Sequence, residues 1–295
     1  MELSGCGTAL VTPFGADGAV DEAALARLVE WQVAAGIDYL VPCGTTGEAS
    51  TMSEAEHLRV AEIVCATVAG RVPVFAGCTH NATSEAVARA KRLAKVAGLT
   101  GILTANPYYN RPGQEGQYRH FRAIAEAVDL PILLYNIPSR TGVNLEAVTT
   151  LRLAEIENVV GVKESSGNLA QITEVIVNAP KGFNVISGDD GLALPVIALG
   201  GVGVISVASN ATPKEMTRMV RAALGGDWAT ANEIHARFRE LMQALFCEPN
   251  PAPAKAALAL LGRCEDVLRL PMVSVSEANR ARLKGLLDGL QASGD

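Results

Sequence analysis

The sequence predicts an α/β protein, a (β/α)8 TIM barrel at residues 1–225 with a small C-terminal helical region at residues 226–295 packed on it. Three observations lead to this prediction. The chain has 295 residues, and a single barrel of this kind takes about 250. Hydrophobic residues make up 49% of the chain, which suits strands that are covered on both faces. Short apolar runs alternate with helical patterns, and this alternation indicates a parallel sheet.

Eight apolar or β-branched runs mark the predicted strands. They lie at residues 6–11, 38–43, 73–77, 101–105, 131–135, 158–163, 183–187 and 201–206. Eight is the number of parallel strands that closes such a barrel. An open, doubly wound sheet is the alternative, although the first run is not followed by the Gly-x-Gly-x-x-Gly pattern of its dinucleotide-binding form.

Helical patterns separate the runs, and some of them have recognisable ends. The pattern after Ser53 opens with a capping box formed by Ser53 and Glu56 and stops at Gly70. The segment 191–213 contains no acidic residue and no lysine, and it is apolar enough to resemble a membrane span. Pro195 and the three glycines that follow it predict instead a short helix, a turn and a buried strand.

The strand pattern ends near residue 225. Helical patterns follow at residues 227–246, 254–262 and 276–290, and a proline-rich break at residues 249–253 interrupts them. We interpret this part as a helical extension of the barrel and not as an independent domain.

Charge and cysteine content limit the classes of partner. The net charge is −6 without a block of like charges, so the clustered basic surface of a nucleic-acid-binding protein is not expected. The six cysteines are scattered and form no Cys-x-x-Cys pair, which predicts reduced thiols and neither a disulfide framework nor a zinc site. No signal-peptide pattern is found at the N-terminus. We therefore expect a cytoplasmic protein that binds neither nucleic acid nor membranes.

The residues that end the strands are the first candidates for function, because barrel active sites lie at the C-terminal ends of the strands. The sixth run ends on Lys163. A lysine amine becomes nucleophilic when burial favours its neutral form, whereas a strand-end lysine that simply reaches solvent is the alternative. The fifth run ends on Tyr135, which is equally consistent with a core aromatic residue.

The loops after other strands add polar groups. Thr45 and Thr46 follow the second strand and offer two hydroxyls, or simply cap the next helix. Arg140 follows the fifth strand, and its planar guanidinium suits either a carboxylate ligand or a surface ion pair. Gly188 follows the seventh strand, and Ile205 lies within the eighth. An amine, a phenol, two hydroxyls and a guanidinium on one rim favour a single site over separate roles.

Segments distributed over nearly the whole chain carry a family resemblance. They are GTALVTPF, PCGTTGEAST, ANPYYNRPGQEG, YNIPSRTG, GVKESSGN, ISGDDGLALP, GGVGVISVASN and LFCEPNPAPAKAAL. The most diagnostic are GTTGE and the pair YNIPSRTG and GVKESSG. In these segments the chain resembles the dihydrodipicolinate synthase family of class I, pyruvate-dependent aldolases. The resemblance implies a (β/α)8 barrel with a C-terminal helical region, assembled as a homotetramer that is a dimer of dimers.

The resemblance also implies a reaction. Lys163 would form a Schiff base with pyruvate, and the resulting enamine would condense with L-aspartate-4-semialdehyde to give 4-hydroxy-tetrahydrodipicolinate, an early intermediate of diaminopimelate and lysine biosynthesis. No metal or organic cofactor would be needed. Tyr135 would relay protons through Thr45 to Tyr109, which in this family reaches across a subunit interface into the partner's site.

The remaining candidates receive binding roles from the same resemblance. Thr46 would help to hold the pyruvate carboxylate. Arg140 would anchor the carboxylate of the semialdehyde at the entrance. Gly188 and Ile205 would contribute backbone groups to the pocket.

Inhibition by L-lysine at a dimer interface is a further implication of the resemblance. The matching positions are Ser50, Glu54, His57, Asn81, Glu85 and Tyr108. Glu85 would pair with the lysine ammonium, Asn81 would bind its carboxylate, and Tyr108 would couple the pocket to the neighbouring Tyr109. Glu54 departs from regulated members that carry a histidine there. His57 is equally consistent with a residue on a solvated helix face.

Two rival functions stand beside this one. N-acetylneuraminate lyases and sugar-acid aldolases share the lysine, the tyrosine and the fold, so the fold alone does not separate them. Arg140 and the pair Thr45 and Thr46 favour the synthase. The second rival is a barrel that binds a keto acid without turning it over, and the presence of Lys163 argues against it.

Overall fold

Eight parallel strands form the centre of the molecule. The computed structural model describes residues 3–292, so the first two residues of the predicted barrel and the last three of the predicted C-terminal region lie outside it. The strands are β1 (Gly5–Ala9), β2 (Tyr39–Val41), β3 (Phe75–Gly77), β4 (Gly101–Ala105), β5 (Ile132–Asn136), β6 (Val159–Glu164), β7 (Asn184–Ser187) and β8 (Gly203–Ser206). All eight predicted runs are confirmed as strands.

The sheet closes on itself. Its strand order is β2-β1-β8-β7-β6-β5-β4-β3. The two ends of that order meet at a bridge between Leu40 and Val74. The Leu40 amide donates to the Pro73 carbonyl at 3.0 Å, and the Gly77 amide donates to the Pro42 carbonyl at 2.9 Å. The (β/α)8 barrel is therefore confirmed, and the open doubly wound alternative is wrong.

Helices follow the strands along the chain and pack against them. They are α1 (Glu22–Ala34), α2 (Glu54–Val68), α3 (Thr83–Leu93), α4 (Gln114–Ala125), α5 (Pro138–Thr141), α6 (Ala147–Ala154), α7 (Leu169–Asn178), α8 (Ala193–Ala198), α9 (Pro213–Leu224), α10 (Trp228–Ala244), α11 (Ala252–Leu260) and α12 (Glu277–Ala292). Strand and helix residues share the same apolar clusters. Every strand of the parallel sheet is thus covered on its outer face, as its apolar sequence requires.

The capping box at the start of α2 is confirmed. The Glu56 amide donates to the Ser53 hydroxyl at 3.3 Å, and the Ser53 amide donates to the Glu56 carboxylate at 2.9 Å. The helix ends on Ala69, which adopts a left-handed conformation with φ of 49°, one residue before the predicted Gly70. The left-handed cap therefore begins on an ordinary residue, and the glycine continues the turn.

The apolar segment 191–213 folds as predicted. It forms α8, a turn and the buried strand β8, and α9 begins at Pro213. Across residues 3–292, no helix is both long and apolar enough to cross a membrane.

Three helices form the C-terminal region. Helix α12 contacts both α10 and α11, and α10 also contacts α9 of the barrel. Phe238, Leu258 and Leu283 of these helices belong to the same apolar cluster as Leu10 of the barrel. The proline-rich break is shorter than predicted, because α11 already begins at Ala252. Pro253 occupies its first turn, where the missing N–H leaves no hydrogen bond unmade.

Candidate active site

Lys163 and Tyr135 lie side by side at the C-terminal ends of neighbouring strands. They are register partners in the pairing of β6 with β5. The Lys163 Nζ lies 4.3 Å from the centroid of the Tyr135 ring. The lysine is only 5% exposed, so it does not simply reach solvent. The pairing of the two strands therefore places an amine and a phenol within reach of one small ligand.

A buried polar network holds the ends of these two strands. Asn136 follows Tyr135, and its Nδ2 donates to both carboxylate oxygens of Glu164 at 3.1 Å. The Glu164 carboxylate also accepts the Ser166 amide at 2.8 Å and Gln171 Nε2 at 3.2 Å. Sequence reasoning missed Asn136 and Glu164. The available signal was two polar residues directly after the candidate residues, at strand ends where apolar residues are usual.

Gly188 occupies a position where a side chain has no room. Its amide donates to the Glu164 carbonyl at 2.8 Å. A Cβ atom at this position would lie 1.9 Å from Ser165 Oγ and 2.8 Å from Lys163 Cε. The absence of a side chain therefore creates the channel through which the Lys163 side chain reaches the barrel mouth.

The turn after β2 presents Thr45 and Thr46 at the same mouth. Thr46 is buried, and its hydroxyl accepts a hydrogen bond from Asn250 Nδ2 at 2.9 Å. The turn is held from below by Thr12, whose hydroxyl donates to the Gly47 carbonyl at 2.8 Å. Asn250 was not predicted as a site residue. No local pattern marks it, because it lies 204 residues from Thr46 along the chain.

Arg140 lies on the short helix α5 at the edge of the mouth, and its side chain is exposed. Its Nη2 donates to the Asn250 carbonyl at 3.2 Å. Within the described residues, Arg140 forms no ion pair with an acidic side chain, so the surface ion pair is not observed. Asn250 thus contacts both Thr46 and Arg140.

A cavity of about 600 Å³ brings six of the predicted site residues together. Its wall includes Thr45, Thr46, Tyr135, Arg140, Lys163 and Gly188. Ile205 is fully buried in the core and is not part of this wall, although Val207 two residues later is. Tyr109 is not part of it either, being 89% exposed at a φ of 71°. The roles of Ile205 and Tyr109 therefore stay predictions.

One wall of the cavity comes from the C-terminal region. Helix α10 contributes His235, Arg239, Met242 and Gln243, and Phe246 follows just after the helix. These residues were not predicted, although the spacing of His235, Arg239 and Met242 by four and three places those three on one helix face.

A second cavity of about 430 Å³ adjoins the first, and the two share Thr45, Tyr135 and Arg140 in their walls. Of the predicted lysine-binding residues, Ser50 and Tyr108 line it, whereas the other four do not. Glu54 is engaged elsewhere.

Two arginines of α3 bind the Glu54 carboxylate. Arg89 Nε donates to it at 2.6 Å, and Arg92 Nη2 donates to it at 2.6 Å. Arg89 also lines the second cavity. A lysine ammonium entering from that side would therefore meet a cation and a carboxylate that is already paired.

His57 does not lie on a solvated helix face, so that alternative is wrong. Its side chain is 1% exposed, and burial together with the nearby Arg89 lowers its pKa to about 4. Val60, Ala61 and Val64 follow it at helical spacing and are buried as well, which places His57 on the inner face of α2.

Two buried histidines make folding sensitive to acid. Burial lowers the pKa of both His57 and His120 to about 4. Between pH 6.5 and 4 the unfolded chain therefore binds protons that the folded chain does not, and stability falls as the pH is lowered. We expect a loss of about 2 kcal/mol for each histidine between pH 7.5 and pH 5.

Denaturant unfolding at several pH values checks this expectation. The variant His57→Gln should show a shallower dependence than the parent protein, because glutamine does not titrate. An unchanged pH dependence in that variant would contradict the assignment to His57.

Fold and cavity together define a (β/α)8-barrel enzyme with its site at the C-terminal ends of the strands. The model of the dihydrodipicolinate synthetase family matches residues 2–290. The chain therefore belongs to this family, whose curated members are lyases.

One curated relative and two solved structures illustrate the similarity of this chain to the family. The 4-hydroxy-tetrahydrodipicolinate synthase of Acidobacterium capsulatum is 58% identical over 97% of this chain and 95% of its own length. The chloride-inhibited dihydrodipicolinate synthase from Acinetobacter baumannii, solved with pyruvate, is 40% identical with a TM-score of 0.95 over 98% of this chain and 99% of its own. The DHDPS from Cyanidioschyzon merolae, solved with lysine bound, is 41% identical with a TM-score of 0.95 over 98% of both chains.

Proposed function

We propose that the chain condenses pyruvate with L-aspartate-4-semialdehyde through a Schiff base on Lys163, giving 4-hydroxy-tetrahydrodipicolinate for the synthesis of diaminopimelate and lysine. The observation that carries this proposal is the buried Lys163 against the Tyr135 ring, at the mouth of a barrel of this family. The names of the curated relatives and the pyruvate in a neighbouring structure support the choice of reaction and first substrate.

The proposed chemistry follows from the groups at the mouth. The Lys163 amine adds to the keto carbon of pyruvate, and loss of water with uptake of one proton gives a protonated imine. The imine withdraws electrons, so a methyl proton can be removed and an enamine forms. The enamine carbon attacks the aldehyde. The amino group of the semialdehyde then attacks the imine carbon, which closes the ring and releases Lys163.

Each proton in this sequence needs a carrier that can act in both directions. Tyr135 is the nearest candidate, since its ring lies against the Lys163 amine. Thr45 lines both cavities with it and would pass protons to Tyr109 of a neighbouring subunit.

The two carboxylates of the substrates need separate contacts. Thr46 would hold the carboxylate of pyruvate, because its hydroxyl is buried in the wall near Lys163. Arg140 would hold the carboxylate of the semialdehyde, because its guanidinium lies at the exposed edge of the same cavity. Gly188 and Ile205 would supply backbone groups between them.

A coupled assay tests the proposed function. Pyruvate and L-aspartate-4-semialdehyde are mixed with the protein, and the product is followed through a reductase that consumes it. Turnover is expected with this pair and not with N-acetylneuraminate. Turnover of the sugar acid alone would favour the lyase reaction, and no turnover of either would favour a binding protein. We also propose a cytoplasmic location, in line with the scattered cysteines.

We propose assembly as a homotetramer in which Tyr109 serves the neighbouring site. The exposure of this side chain supports the proposal, because Tyr109 does not line the cavity of its own subunit and is free to reach a neighbour. Sedimentation is expected to give a dimer or tetramer, and Tyr109→Phe should lower turnover about 10²-fold with unchanged assembly. A fully active monomer would contradict the shared relay.

We propose inhibition by L-lysine at a dimer interface, supported by the lysine bound in a neighbouring structure and by Ser50 and Tyr108, which line the second cavity. Glu85 would pair with the ammonium, Asn81 would bind the carboxylate, and His57 and Glu54 would act through the packing of α2. Millimolar L-lysine should lower steady-state turnover, and Glu85→Ala should weaken the effect about tenfold. Unchanged turnover of the parent enzyme would reject the regulation and leave the reaction intact.

A further inference from the structure

A second buried lysine lies outside the proposed reaction. Lys255 of α11 is 0% exposed. Its Nζ lies 2.5 Å from Glu48 Oε1 and donates to the Val267 carbonyl at 2.8 Å. Burial lowers the pKa of the Lys255 ammonium, and the Glu48 carboxylate opposes that shift. A charged residue is almost never fully buried without such a partner, so Lys255 and Glu48 depend on each other for their burial.

The same carboxylate receives a second contact from the C-terminal region. The Arg269 amide donates to Glu48 Oε2 at 3.1 Å. The Arg269 guanidinium also donates to the Thr51 carbonyl at 3.0 Å. Arg269 therefore forms hydrogen bonds with two residues of the segment 48–51. Both cations contact the Phe14 ring, with Lys255 Nζ 4.0 Å and Arg269 Cζ 4.3 Å from its centroid. Glu48 Oε1 thus lies against a cation, and Glu48 Oε2 accepts a hydrogen bond.

Glu48 belongs to the turn that carries the two site threonines. It is the second residue after Thr46, and its amide donates to the Thr45 carbonyl at 3.1 Å. Its φ of 53° lies in the left-handed region, which a glutamate rarely adopts. A residue in this conformation is held there by its surroundings, and the contacts with Lys255 and Arg269 are those surroundings.

Stability alone does not account for this arrangement. A buried ion pair is often no more stabilising than apolar residues of similar volume, because both charges lose their hydration. What the contacts of Glu48 add over apolar residues is a fixed position, since one carboxylate oxygen lies against the Lys255 ammonium and the other accepts the Arg269 amide. Because Glu48 belongs to the turn after β2, these contacts also hold the backbone that presents Thr45 and Thr46 to the cavity.

We infer that Glu48 and Lys255 are a positioning pair, through which the C-terminal region sets the placement of Thr45 and Thr46 for pyruvate. The inference rests on the proposed function. Neither residue touches the substrate, and both act through the turn.

The double variant Glu48→Leu/Lys255→Met separates positioning from stability. Each single variant leaves a buried charge unpaired, so both stability and activity should fall. In the double variant the melting temperature should return to near the parent value. Its kcat/KM for pyruvate, and the rate of borohydride-trapped imine formation, should stay lower by about ten- to a hundredfold, as displaced site residues require. The KM for the semialdehyde should change less than the KM for pyruvate.

Recovery of both the melting temperature and the kcat/KM for pyruvate would overturn the inference. If the double variant does not fold, the kinetics of Glu48→Gln are measured instead, because glutamine keeps the size of the side chain and removes its charge. A folded Glu48→Gln protein with parent-like kinetics for pyruvate would overturn the inference as well. The matched control is the exposed pair Lys284 and Asp288, whose replacement by methionine and leucine should leave the kinetics unchanged. Failure of the parent enzyme to use pyruvate would instead reject the proposed function.

Discussion

Replacing Lys163 by alanine is expected to remove the imine with pyruvate and to lower turnover about 10³-fold or more, as loss of a covalent nucleophile does. The reason is structural, because Lys163 combines burial, contact with Tyr135 and a place in the wall of the cavity. Incubation with pyruvate and borohydride, followed by mass spectrometry, should find the adduct on Lys163 in the parent enzyme and no adduct in Lys163→Ala.

Two other lysines provide the controls for that experiment. Lys214→Ala removes an exposed lysine of α9 and should leave both the adduct and the turnover unchanged. Lys255 is buried as deeply as Lys163, but its amine is paired with Glu48. An adduct on Lys255 would show that the nucleophile has been assigned to the wrong lysine.

Gly188→Ala is expected to lower kcat/KM for pyruvate about 10²-fold without removing any functional group, since a displacement of the reacting atom by 1 Å has effects of this size. The added methyl group would lie 2.8 Å from Lys163 Cε, so the side chain of the nucleophile must move. Imine formation should slow by the same factor, while circular dichroism should report a folded barrel.

The neighbouring loop offers a matched comparison. A Cβ at Gly191 would meet its nearest atom, in Asp189, at 3.4 Å, so Gly191→Ala should keep parent kinetics. Adding Ser165→Ala to Gly188→Ala removes the contact at 1.9 Å but not the one with Lys163, and little activity should return. Parent-like kinetics in Gly188→Ala would mean that Lys163 does not need this channel.

The fold was predictable because its signals are local. Each strand is a short apolar run, and several helices show helical spacing and an end signal, such as the capping box at Ser53. Lys163 and Tyr135 were predictable as candidates for a similar reason, since they end two runs and the barrel topology places strand ends together.

The supporting contacts were not predictable, because they join distant parts of the chain. Asn136 and Glu164 meet only once β5 pairs with β6, and Asn250 reaches Thr46 only once the C-terminal region has docked. Neither contact is marked by a periodic pattern of residues in the sequence. His57 was a different case, since its spacing with Val60 and Val64 did carry the information, but a histidine in that pattern is compatible with either face.

The seam between β2 and β3 is the narrowest join in the ring, because only Leu40 and Val74 are bridged there. Local opening of the barrel should therefore start at this seam. Such an opening would carry away the turn after β2, and with it the hydroxyls of Thr45 and Thr46. Lys163 and Tyr135 lie on the far side of the ring and would stay in register. A molecule caught in this partly open form would keep its nucleophile and lose its hold on the substrate.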